Sequence, residues 1–155
     1  MRNQTGCFTG HRHIPDKQIE IVKASLEKTI IALYKRGVIY YGAGGALGFD
    51  TLAAEAVLCL REHYPKLRLI LVLPCRNQTR GWKEPDVSRY EDIRRKADKV
   101  VYTSEEYTRG CMHKRNRHLV DYSSVCVCYK TQDSGGTAYT VSYAHGKGLE
   151  IINVA

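Results

Sequence analysis

Nowhere does the sequence run to the roughly 18 consecutive apolar residues that a membrane-crossing helix needs. Its opening, MRNQTGCFTGHR, lacks the charged, apolar and small-residue segments of a secretory leader, so the cytoplasm is the expected setting and no membrane partner is expected. A CxxC knuckle is missing as well. The six cysteines are scattered, and in SSVCVCYK Cys126 and Cys128 stand two apart on an extended segment, facing one side of a sheet rather than gripping a metal. Reduced thiols and no metal site are the expectation. Two familiar nucleotide fingerprints, GxGxxG and GxxxxGK[ST], are absent too. Acids are scarce, 16 against 24 Lys and Arg, for a formal charge of +8. Such an excess suits nucleic acid, an acidic membrane face or a ligand bearing several phosphates, and charge alone does not choose among them.

What is present is a regular alternation. GCFTG is a short strand; the apolar spacing Ile19, Val22, Leu26, Ile30, Leu33, Tyr34 predicts an amphipathic helix, which Gly37 ends. VIYYG is a second strand, followed by a helix carrying Leu52, Ala53, Ala56, Val57 and Leu60. LRLILVLP is apolar through its centre, as when helices cover both faces of a parallel sheet. Then come a helix over roughly 87–97, the strand KVVYT, the helix CMHKRNRHLVDY, the strand SSVCVCYK, a glycine-led helix from SGGT and a last strand LEIINVA. The pattern predicts an α/β fold with a doubly wound, mostly parallel sheet, helices on both faces, and residues 1–155 as one domain.

In such a sheet ligands sit beyond the carboxyl ends of the strands. Every unusual loop falls at that edge. After the second strand, YYGAGGALGFD packs four glycines between Gly42 and Gly48 and turns directly into a helix. A glycine loop at a helix N-terminus exposes backbone N–H groups and the positive end of the helix dipole, a seat for phosphate. Gly44, Gly45, Ala46 and Gly48 form the first such seat, and Ser134, Gly135, Gly136 and Thr137 the second. A bulky residue at Gly45 is then expected to abolish ligand binding while the fold survives. Asp50 either accepts ribose hydroxyls or simply favours its helix N-terminus. A tight turn packed on a neighbour is the other reading of the glycines.

TGHR, GGALGFDTLAAE, PCRNQ with Trp82, CMHKRNRHLVD and SGGT together resemble the SLOG superfamily, and within it the standalone YpsA-like domains of unknown function. The resemblance spans the chain and implies a Rossmann-like fold that binds a nucleotide, often one related to NAD or ADP-ribose. Relatives include lonely-guy phosphoribohydrolases, DNA-processing proteins that bind single strands, and sensors of cyclic ADP-ribose signals in antiphage immunity. The lonely-guy enzymes carry MHxRK and PGGxGTxxE. Here MHKRN keeps Met112, His113 and Arg115 but has Asn116 for the lysine, and the glutamate position is Thr140. Breaking a glycosidic bond builds oxocarbenium charge that carboxylates stabilise, and threonine supplies none. Asp50 or Glu55 could substitute in principle, and nothing in the sequence aims either one at the scissile bond.

A binder is therefore the preferred expectation: it senses or sequesters a phosphorylated nucleotide or NAD-derived signal and needs no cofactor. Arg12 and Arg115 take phosphate oxygens, and Asn77, Gln78 and Asn116 read base or ribose. Trp82 either stacks on the ligand or anchors its loop. Thr9, Gly10 and His11 complete the first loop; His11 and His113 are contacts, acid–base groups or plain loop residues, and Tyr107 is a weaker candidate. A phosphoribohydrolase and a single-strand nucleic-acid module are the alternatives, and a homo-oligomer is possible.

Overall fold

The computed structural model describes residues 2–155. After a single 3-10 turn at Arg2–Gln4, strands and helices alternate to the end of the chain: β1 (Thr5–Gly10), α1 (Asp16–Lys35), β2 (Tyr40–Ala43), α2 (Phe49–Leu60), β3 (Arg68–Leu73), α3 (Glu84–Lys96), β4 (Lys99–Tyr102), α4 (Cys111–Asp121), β5 (Val125–Tyr129), α5 (Gly136–Gly146) and β6 (Glu150–Asn153). The strands form one sheet in the order β4-β3-β2-β1-β5-β6, and each pairing is parallel. Expected and observed elements agree in kind and order. The clearest boundary difference is α3, which starts at Glu84 rather than near Val87. Pro85 lies in its first turn, where a missing N–H costs nothing.

Period-two alternation builds two cores. Phe8, Val125, Val127, Leu69, Leu71 and Leu73 face the layer holding Leu26 and Ile30 of α1 and Ala53 and Val57 of α2. Their neighbours Cys7, Cys126, Cys128 and Val72 face Leu119 and Val120 of α4 and Ala144 of α5. Cys126 and Cys128 do share one side. All six cysteines are free thiols.

From β1 the chain steps outward to β4, then returns through α4 to place β5 on the other side of β1. The strand order reverses at that point, and the β1–β5 ladder ends at the pair Gly10 and Tyr129. This crevice is where a doubly wound sheet can admit a ligand.

One core group is out of place. The Tyr41 ring stacks on Phe8 at 5.4 Å between centroids, yet its hydroxyl is buried with no hydrogen-bond partner. Burial pushes that phenol well above its usual range. Because an orphaned buried hydroxyl costs about 1–3 kcal/mol, Tyr41→Phe is expected to leave the fold unchanged or raise its stability by about 1 kcal/mol. Urea denaturation measures this directly.

Candidate functional site

A cavity of about 690 Å³ opens at the β1/β5 crevice, and five loops at the carboxyl edge supply its walls. Thr9, Gly10, His11 and Arg12 come from the end of β1 and the turn after it; Ala46 and Asp50 come from the β2–α2 turn. The segment after β3 gives Asn77, Gln78 and Trp82, α4 gives Arg115 and Asn116, and the β5–α5 turn gives Ser134, Gly135, Gly136 and Thr137. Thus residues up to about 130 positions apart in sequence converge, as strand order requires. Arg80, Met112, Gln132 and Tyr107 also line the cavity, and neither Arg80 nor Gln132 falls in a motif that marks it as a site residue. Arg80 and Gln132 share edge loops with Asn77, Gln78 and Ser134, so loop membership is the signal that finds them.

Gly44, Gly45 and Gly48 do not line it. A β-carbon at Gly48 would lie 2.2 Å from the Arg12 carbonyl oxygen, and one at Gly45 2.6 Å from a methyl of buried Leu73. At Gly44 a β-carbon would strike the Arg115 guanidinium. The N–H of Phe49, first residue of α2, donates to the His11 carbonyl at 3.1 Å, and the Ala46 N–H donates to the Asp50 carboxylate at 3.3 Å. The first glycine loop is thus filled by the protein's own backbone and side chains. The three glycines are therefore packing positions, and Ala46 is the residue of that turn that reaches the cavity; a bulky residue at Gly45 would disturb the core rather than spare the fold.

The second loop differs. Gly135 caps α5 at φ 95° without a side-chain cap, and β-carbons at Gly135 or Gly136 would meet nothing within 4 Å. Ser134, Gly135, Gly136 and Thr137 line the cavity, so the N-terminus of α5 and the positive end of its dipole lie at the cavity wall. Of the two seats expected, this one is open.

Beside it, Arg115 is only 4% exposed. Its Nε donates to the Asn116 Oδ1 at 2.7 Å and its Nη1 to the Gly44 carbonyl, while Nη2 lies 3.9 Å from the Met112 sulfur. No carboxylate forms an ion pair with it among the described residues. Burial lowers its pKa, and the charge of Asp50 opposes that shift from beyond contact distance. Burying an ion with no carboxylate in contact is costly, and the charge of Asp50 offsets that cost only in part.

Asp50 is the only carboxylate lining the cavity among the described residues, and burial raises its pKa more than Arg115, the Ala46 N–H and Arg12 lower it. Because its folded pKa lies above its unfolded value, ionised Asp50 opposes folding. That contribution vanishes below about pH 4, the unfolded value, and grows as pH rises through the folded one. Asp50→Asn, which keeps an acceptor for the Ala46 N–H, is expected to be more stable than wild type at neutral pH, with the two curves converging below about pH 4. Chemical denaturation across pH checks this.

Several other side chains are already committed. Gln78 donates to the Gly44 carbonyl at 3.1 Å and accepts from the Tyr90 hydroxyl at 3.1 Å, so it braces the wall rather than offering an open amide. The His11 Nε2 accepts the Thr131 N–H at 3.0 Å, which places the ring proton on Nδ1. Asn77 accepts the Tyr107 N–H at 3.1 Å. Trp82 is half-buried and meets Tyr90 edge-on at 5.5 Å. His113 packs against Tyr139 at 4.4 Å, outside the cavity lining. Thr140 is buried and donates to the Gly136 carbonyl within α5, and Glu55 is paired with Arg89 at 2.5 Å away from the cavity.

Residues 7–150 match the YspA SLOG family. The chain belongs to that family. Among curated SLOG relatives it is 29% identical over 132 residues to the UPF0398 protein YpsA of Bacillus subtilis, covering 83% of this chain and 73% of that protein. It is 30% identical over 145 residues to UPF0398 protein BH1768 of Halalkalibacterium halodurans, covering 92% and 75%. The fold is that of DNA processing protein A from Streptococcus pneumoniae (TM-score 0.70, 15% identity, 96% of this chain) and from Helicobacter pylori (TM-score 0.68, 20% identity, 97% of this chain). The SLOG chain spans 49% and 64% of those two longer proteins. Among the described residues no helix is long and apolar enough to cross a membrane.

Proposed function

We propose that this SLOG chain binds a phosphorylated nucleotide or an NAD- or ADP-ribose-derived signal, sensing or sequestering it without turning it over. One observation carries the reading. Arg115, buried in the cavity wall, has no carboxylate partner among the described residues and stands in the same cavity as the uncapped start of α5. An anion placed there accepts from a guanidinium and from helix N–H groups together. Arg12, exposed and free of ion pairs among the described residues, adds a second cation at the rim. Asn116, with its oxygen given to Arg115, keeps its NH2 for a base or sugar.

Binding rather than cleavage is favoured because Thr140 and Glu55 stand outside the cavity lining, leaving Asp50 without a second acid. Denaturing the purified protein and identifying released molecules by mass spectrometry tests the proposal. Recovery of an intact phosphorylated nucleotide that also raises Tm supports it. Release of free base from added nucleotide would instead mark a hydrolase. The charge of +8 keeps a nucleic-acid reading in play, and single-strand DNA binding is described for the Helicobacter pylori protein of the same fold. Oligonucleotide affinity that falls steeply with salt, with no response to mononucleotides, would favour it.

A further inference from the structure

Asp50 and Arg115 line one cavity, and an anion bound there changes the surroundings of both. Asp50 stands in the first turn of α2, only 6% exposed, where its carboxylate accepts the Ala46 N–H at 3.3 Å. It forms no ion pair among the described residues. A buried carboxylate with one long donor is poorly solvated, and charge at a distance is what keeps it ionised. That charge comes from Arg115 on α4 and from Arg12 after β1, which pull its pKa down against the rise that burial imposes. The other titratable groups on the cavity wall are His11 beside Arg12, Arg80 in the segment after β3, and Tyr107 after β4; the lining residues of the β5–α5 turn carry no charge.

The same two arginines are the cations offered to the phosphate. An anion that takes them cancels the positive charge felt by Asp50, adds negative charge to the same cavity and excludes water, and each of these effects favours the protonated carboxyl. Protonation also turns Asp50 from an acceptor, which repels phosphate oxygens, into a donor that they can accept. We infer that ligand binding takes up a proton at Asp50, so that the site holds an anion and a proton together and releases both as pH rises. The proton comes from solvent, and the carboxyl O–H is the only covalent bond formed. This rests on the nucleotide reading above and adds the regulation of that site. By linkage, binding that takes up one proton weakens by up to about tenfold for each unit of rising pH.

The test is calorimetric titration of the full chain with AMP and with ADP-ribose, whose pyrophosphate diester does not titrate near neutrality. Titrations run from about pH 5.5 to about pH 8.5 in buffers of low and high ionisation enthalpy, which counts the protons taken up. Wild type is expected to take up about half a proton or more at its maximum, and to lose affinity as pH rises. Asp50→Asn, uncharged throughout, should lose that uptake, keep only what His11 supplies, and bind about fivefold or more tighter than wild type at the alkaline end. Where AMP alone binds, its own phosphate titration is common to both proteins and drops out of the difference. Equal proton counts in wild type and Asp50→Asn at every pH overturn the inference. So does wild-type uptake near zero throughout, a result that needs no variant. Weaker alkaline binding by Asp50→Asn also overturns it and makes Asp50 an ionised acceptor for a sugar hydroxyl. Failure of both nucleotides to bind overturns the nucleotide reading itself, and the proton uptake with it.

Discussion

Gly48→Ala is expected to destabilise the fold by about 3 kcal/mol or more, whether or not a ligand is present. Gly48 holds φ 81°, a conformation that L side chains rarely adopt. Its missing β-carbon is also the space occupied by the Arg12 carbonyl, at 2.2 Å for the oxygen and 2.4 Å for the carbon. Backbone, unlike a side-chain tip, has no rotamer by which to withdraw. Relieving the clash would pull the β1–α1 turn off α2 and break the Phe49 N–H bond to His11. Gly136→Ala is the matched contrast. It lies at the start of α5 in open space, so its folding stability should stay within about 1 kcal/mol of wild type, improved if anything by helix propensity. Urea midpoints of the two variants separate a glycine needed for packing from one at an open seat. Equal midpoints would mean that the first glycine loop is not the joint described here.

Arg115→Met should weaken AMP binding by at least about 100-fold, the order expected when one partner of a buried charged contact is removed. The fold should persist. Methionine retains the apolar stem, removes a poorly solvated charge, and leaves the Gly44 carbonyl still bonded to Gln78 at 3.1 Å. Asp50 then loses its larger positive neighbour, so its pKa rises further. Arg115→Lys keeps the charge but not the planar fork, and an intermediate loss of about tenfold is expected. Titration calorimetry with AMP reads both variants. Affinity within about threefold of wild type for Arg115→Met would place the anion elsewhere.

Much of this molecule is legible in its residues. Alternating Leu69, Leu71 and Leu73 against Ile70 and Val72 announces a strand covered on both faces, and the spacing from Val22 to Leu33 announces a helix. These signals are local, carried by residues a few positions apart, and they were enough to send five loops to one edge. Which of the two readings of the glycines holds, phosphate seat or packed turn, was not legible. Gly44 and Gly45 read as backbone cleared for a phosphate, and the tertiary structure gives the clearing to Arg115, 71 residues away, and to Leu73.

The sequence by itself determined the alternation of elements, the parallel sheet and the edge at which a site would form, because periodicity and chain connectivity depend only on neighbours along the chain. Tertiary structure alone decided which glycine turn stays open and which arginine is buried with no carboxylate in contact among the described residues. Whether a backbone amide or a charge is satisfied depends on which distant segment packs against it, and no local pattern records that.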